Sequence, residues 1–232
     1  MLEVLAGNVR LRAVLGLAEQ LPHYTPLQKF SARSQVLEIT RAIIARIGAA
    51  ALKNGGEQPS AARDSTGLAT TGASAYFNRR RGKRCRGYIK LSALVLCGSL
   101  FPLAVVLDRG PSNDRVQVPQ LLQQAQAVGQ PKQLLADAGY DAEWIHARCR
   151  EVWGVESLIM PNGQRADGTR NGRWRAQMSP EHMKARGYGQ RWAVESCFSA
   201  LKRTVGGALS TRLPDTQLAE AAVRVLTYVL RR

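Results

Sequence analysis

Three carboxylates stand out for the chemistry they would do together. Asp64, Asp137 and Glu195 are spread over more than half of a 232-residue chain. Hard divalent cations need such a set: oxygen ligands brought from distant elements to one end of a sheet, with positions left open for water and phosphate. Asp64 falls at the end of a short expected strand over 61–65, and Asp137 at the end of another over 134–137. If those strands are parallel neighbours, the two side chains share a sheet edge, where like charges repel unless a cation lies between them. Each Asp taken alone also reads as a turn cap. Glu195 lies on an expected helix. At about 100° per residue, Tyr188, Arg191, Glu195, Phe198 and Lys202 fall within an arc of roughly 80°. Val194, Cys197, Leu201 and Val205 form the adjoining apolar stripe. A ladder of surface ion pairs, each worth roughly a few tenths of a kcal/mol, is the competing reading of that spacing.

The elements that must position these residues follow from hydrophobic period and turn chemistry. Residues 1–57 read as a helical preface for end binding or dimerisation. In it Ser34 caps a helix through Val36, Leu37, Ile39, Ile43, Ile44 and Ile47, ending near Asn54-Gly55-Gly56. The remainder, 58–232, reads as one domain. Its first strand, 61–65, is a poor one because of Arg63. Strands over 88–96 and 100–107 follow, separated by Cys97-Gly98-Ser99. Pro111-Ser112-Asn113-Asp114 is a turn feeding a helix over 118–128, with Pro119 in its first turn. After the 134–137 strand come a helix over 141–153, a strand over 155–160 and a polar Arg- and Gly-rich insertion near 161–179. Helices over 189–205 and 215–230 close the chain, the last capped by Asp215. Strand, strand, strand, helix, strand, helix, strand, insertion, helix is the order of an α/β, ribonuclease H-like mixed sheet with flanking helices.

Charge narrows the partners. Thirty-three Lys and Arg face 17 Asp and Glu, a net +16, and 26 of the bases are arginine. The planar arginine fork suits phosphate, so the excess points to nucleic acid, a GC-rich coding sequence being the bland alternative. Arg79, Arg80, Arg81, Lys83, Arg84 and Arg86 repel one another on a free surface and are relieved by a polyanion. Arg165, Arg170, Arg173 and Arg175 make a second strip around Trp174, which either stacks on a base or folds back as a lid. Trp144, Trp153 and Trp192 are read as core, and His23, His146 and His182 form no catalytic pair. Apolar content of 45% excludes wholesale disorder. Cys85, Cys97, Cys149 and Cys197 lack finger spacing and read as reduced thiols. The uncharged run 91–107 is broken by Cys97-Gly98-Ser99 and Pro102, so no membrane span is expected. No signal peptide is read at Met1-Leu2-Glu3-Val4, so a soluble, cytoplasmic protein is expected.

Tyr188-x2-Arg191-x3-Glu195-x6-Lys202 resembles the YREK signature of DDE transposases of bacterial insertion sequences. Leu135-Ala136-Asp137-Ala138-Gly139-Tyr140-Asp141 is similar to that family's second Asp motif, Asp64-Ser65-Thr66-Gly67 to its first, and Arg109-Gly110-Pro111-Ser112-Asn113-Asp114 to the stretch between them. The resemblance spans 63–232. It implies metal-dependent cleavage at the ends of an insertion sequence and strand transfer into target DNA. Asp64, Asp137 and Glu195 would hold two Mg²⁺ ions, replaceable by Mn²⁺, and Tyr188, Arg191 and Lys202 would contact DNA phosphates. Partners so implied are double-stranded DNA, as terminal inverted repeats and target, and a second copy in a synaptic complex. The alternatives are a truncated or decayed copy that binds DNA without catalysis, and a structure-specific nuclease of the same fold.

Overall fold

The structure is a computed structural model describing residues 9–14, 16, 21, 23–54, 58–70, 87–162 and 170–232. Helices α1 (Val9–Val14), α2 (Tyr24–Ser31) and α3 (Ser34–Asn54) precede the sheet. The sheet strands are β1 (Ala61–Ala69), β2 (Tyr88–Leu96), β3 (Pro102–Arg109), β4 (Gln133–Ala136) and β5 (Glu156–Ile159). Interleaved with them and following are α4 (Val118–Val128), α5 (Glu143–Ala147), α6 (Pro180–Ala185), α7 (Trp192–Val205) and α8 (Pro214–Leu230). Strand order is β3-β2-β1-β4-β5, with β1–β2 and β2–β3 antiparallel and β1–β4 and β4–β5 parallel. This is the mixed, ribonuclease H-like α/β sheet expected from the element order.

Side chains alternate across the strands, so adjacent residues feed opposite cores. Ala62, Leu135 and Leu158 face the core shared with α7 and α8, which supply Val194, Leu201 and Val225. Ala61, Leu134 and Ala136 face the other, filled by Leu121 and Leu122 of α4 and by Ile145, Cys149 and Trp153. Helix α3 crosses edge strand β3 and contributes Ile44 to the first core. A Cβ at Gly48 would come 2.7 Å from the Pro102 carbonyl, so the missing side chain lets the helix lie close to the strand.

Several elements differ from expectation. The first strand runs on to Ala69 because β2 pairs with it along its whole length, from Ala61↔Leu96 to Ala69↔Tyr88, overriding the turn preference of Ser65-Thr66-Gly67. Asp64 therefore lies within β1, not at its end. Arg63 does not weaken that strand: it is 1% exposed, with its guanidinium 3.7 Å over the Tyr140 ring. The 141–153 helix starts at Glu143 and widens into a π turn over Arg148–Trp153, which carries the Trp153 indole N–H to the Gly129 carbonyl at 3.1 Å. Tyr188–Arg191 is a 3-10 turn, so α7 begins only at Trp192. Pro214 is the first residue of α8, with Leu213 rather than Asp215 at the cap. Short helix α6, capped by Ser179, follows the insertion. Of the tryptophans read as core, Trp153 is buried. Trp144 is 46% and Trp192 60% exposed, because the apolar residues Ile145, Ala193 and Val194 take the inward faces of their helices.

Candidate active site

The β1–β4 pairing sets the geometry. Ala61 pairs with Leu134 and Ala62 with Leu135, so two steps further in the same register Asp64 stands level with Asp137. Strand β4 ends at Ala136 because Asp137 turns the chain into a 3-10 turn over Ala138–Tyr140, its Oδ1 accepting the Gly139 N–H at 3.0 Å. The cap reading of Asp137 is realised, and the same position leaves the residue level with Asp64.

Asp64 shares its face of β1 with Ala62, Thr66 and Leu68, the face on which α7 packs. Its Oδ1 accepts the Ser65 N–H at 2.7 Å, and its Oδ2 lies 3.7 Å from Nη1 of Arg191. Burial raises the Asp64 pKa above the ordinary 3.8; the Ser65 N–H works against that, the Asp137 charge with it, and Arg191 and Glu195 act more weakly in opposite directions. The acid is thus under stress from desolvation and from its own neighbours. Arg191 also donates to Glu195, the i,i+4 pair that opens α7. Its guanidinium resists desolvation through the bond and charge of Glu195, which leave it more basic than usual. One arginine therefore neutralises two of the three acids.

The other residues of the spaced set converge on the same strands. The Tyr188 hydroxyl donates to the Ala136 carbonyl at 2.9 Å, directly before Asp137, because the 3-10 turn swings it off the helix and onto β4. Lys202, two turns along from Glu195, donates from Nζ to Thr66 Oγ1 at 2.7 Å, and burial depresses its pKa. Asp64, Asp137, Tyr188, Arg191, Glu195 and Lys202 thus lie around one end of the β1–β4 pair.

The expected insertion contacts divide differently. Arg175 donates from Nε and Nη2 to Asp141 at 2.7 and 2.6 Å, and the Asp141 side chain is fully buried. Asp141 also accepts the Asn162 N–H, while Glu143 accepts those of Trp174 and Arg175. Desolvation would raise the Asp141 pKa, but the bonds from Arg175 and Asn162 outweigh it and hold the carboxyl below its usual range. Arg175 is therefore spent on fixing the insertion to α5. Trp174 folds back onto its neighbours, donating to Glu151 and lying under the guanidinium groups of Arg150 and Arg173. Arg173 itself is exposed. Arg79, Arg80, Arg81, Lys83, Arg84, Arg86 and Arg165 lie outside the described residues. His146 is fully buried, its Nδ1 2.8 Å from Ser157 Oγ, and desolvation drops its pKa to about 4, so it is a core residue.

Among the described residues no three Asp, Glu, His or Cys side chains stand together as a ready metal cage. The donor set nevertheless suits a hard divalent ion: three carboxylates, Asp64 on β1 level with Asp137 at the end of β4, with the desolvated Asp64 in need of positive charge. Glu195, with a 56% exposed side chain, is held by Arg191. Sequence reasoning missed a polar cluster beneath β1, formed by Arg63, Ser65, Lys90, Asp114 and Arg115. The charges of Arg63 and Lys90 inside strands were its one visible signal.

A family model described as Transposase DDE domain matches residues 57–230. No curated protein and no solved structure matches the chain significantly.

Proposed function

Because the chain belongs to the transposase DDE domain family, we propose that it cuts DNA at the ends of a bacterial insertion sequence and joins them to target DNA, as a YREK-type enzyme. The observation that carries this reading is the placement of Asp64 on β1 level with Asp137 just past the end of the parallel strand β4, with Arg191 set against both Asp64 and Glu195. Asp64, Asp137 and Glu195 would hold two Mg²⁺ ions, for which Mn²⁺ would substitute; when bound, such ions activate the attacking oxygen and stabilise the leaving one. Glu195 exchanges Arg191 for that role, and the guanidinium so released neutralises a phosphate beside the scissile one. Lys202 offers a second cation on the Thr66 side of the site. Tyr188, anchored on Ala136, packs against the strand end and keeps the backbone entering Asp137 in place.

DNA is the partner that the family implies. Arg173 and the run Arg79, Arg80, Arg81, Lys83, Arg84 and Arg86 are the proposed outer phosphate contacts, and two copies acting on paired ends form the synaptic complex. Among the described residues no helix is long and apolar enough to cross a membrane; the proposed location is the cytoplasm, at the nucleoid. The test is cleavage of labelled DNA carrying the flanking inverted repeats, with Mg²⁺, with Mn²⁺ and with EDTA. Metal-dependent cuts at the repeat ends, lost in Asp137→Asn, are expected. Binding without cleavage under every metal condition would mean a decayed copy, and cuts without joining a structure-specific nuclease. Replacing the six bases from Arg79 to Arg86 with glutamine should flatten the salt dependence of binding, the slope falling by about 0.9 for each phosphate that is no longer neutralised.

A further inference from the structure

The polar cluster beneath β1 centres on a 3-10 turn over Asp114–Gln117, capped by Asn113. The Asp114 carboxylate lies 2.5 Å from Lys90 Nζ and accepts the Ser65 hydroxyl at 2.6 Å. Its carbonyl accepts Nη2 of Arg63 at 3.0 Å. The next residue, Arg115, donates from Nε to the Gly139 carbonyl at 2.7 Å. Arg63 in turn stacks on Tyr140. This single turn therefore reaches the residues on both sides of Asp64 and, directly at Gly139 and through Arg63 at Tyr140, two of the three residues of the turn after Asp137.

Strand alternation gives the arrangement a direction. Arg63 and Ser65 point to the face of β1 opposite Asp64, so the turn grips the strand from below while leaving the acid free above. Arg63 is an expensive way to fill that space. It is 1% exposed, and its Nε and Nη1 are buried without a hydrogen-bond partner. A well-packed apolar side chain commonly matches or exceeds the stability of a buried charge. The guanidinium is better explained by what it joins, the Asp114 turn to the Tyr140 ring.

We propose that Asp114 and Arg63, with Ser65 and Arg115 as their links, are positioning residues that set the spacing between the metal-holding carboxylates Asp64 and Asp137. The proposal rests on the metal-dependent reading of that site. Neither residue touches DNA or metal in this role; each acts through the backbone that carries an acid.

Ser65→Ala and Arg115→Ala each cut one link without stranding a buried charge, so both variants should fold. Mn²⁺ binding without DNA, followed by electron paramagnetic resonance, reads the spacing directly. Each variant should weaken Mn²⁺ affinity by on the order of tenfold, the scale of losses when groups that orient metal ligands are removed. Half-saturating Mg²⁺ in cleavage should rise in step, with DNA affinity in EDTA and the thermal midpoint near wild type. Arg115→Lys, which still reaches the Gly139 carbonyl, should recover most of the loss. Wild-type Mn²⁺ affinity in both alanine variants would overturn the proposal, as would a lowered thermal midpoint with no change in metal affinity. If the unaltered protein binds Mn²⁺ but does not cut DNA, the transposase reading fails while the titration still decides this one.

Discussion

Asp137 and Asp141 are four positions apart, yet their surroundings differ in kind. Asp141 and its neighbour Glu143 are completed by the chain: a two-point bond from Arg175 and the N–H of Asn162 for the first, the N–H groups of Trp174 and Arg175 for the second. Among the described residues, Asp64 and Asp137 receive one backbone N–H each, and the nearest cation to Asp64 is 3.7 Å away. Accordingly the Asp141 pKa is held down and that of Asp64 is pushed up. Acids that fasten one segment to another have their donors built in. Asp64 is left short of such partners, as the proposed cation site requires, and the fold tolerates the repulsion.

The comparison can be broken at either end. The largest effect expected is on catalysis: Glu195→Gln should abolish strand cleavage while DNA binding, measured in EDTA, stays near wild type. Full cleavage by that variant would remove Glu195 from the site. Next in size is the fastening pair. Asp141→Asn leaves Arg175 facing an uncharged partner in a buried setting and should cost about 3 kcal/mol in urea unfolding. A loss within error would mean that the insertion is held by other contacts.

The smallest effect has the opposite sign. Asp64→Asn relieves repulsion and desolvation, and should stabilise the metal-free protein by about 1 kcal/mol, the usual scale of a relieved electrostatic conflict. The pH windows of the two substitutions separate. Asp64 binds a proton more readily folded than unfolded, so its penalty disappears as pH falls through the raised pKa, above the ordinary 3.8. The contribution of Asp141 is complete above 3.8 and is lost only as pH falls towards its depressed value. Unfolding of both variants between pH 3 and 7 should therefore show the Asp64→Asn gain vanishing before the Asp141→Asn loss begins to shrink. Reversal of that order would contradict the two environments described.

The element order and the alignment of Asp64 with Asp137 were legible because each rests on a local pattern: an apolar run, a turn, a helical spacing. What depends on distant partners was not. Arg63 reads as a strand breaker until Tyr140 is brought beneath it. Ser65-Thr66-Gly67 reads as a turn until β2 pairs alongside. Arg175 resembles a phosphate contact, since a sequence window does not contain Asp141. Trp192 passes for core by size alone, although the phase of α7 turns it outward. Asp114 looks like an ordinary turn former, and its links to Ser65 and Lys90 connect pieces that only the folded sheet assembles.

The parallel pairing of β1 with β4 joins residues more than seventy positions apart. Closing so long a loop is entropically slow and yields little until the intervening strands and α4 are in place. Glu195 is later still in the chain. On the ribosome, Asp64 and Asp137 first meet Glu195 when α7 has emerged, so on the proposed reading the arginine-rich run 79–86 is synthesised well before the three acids are together. The proposed cleavage would therefore have to wait until the sheet has closed, whatever the basic run does earlier.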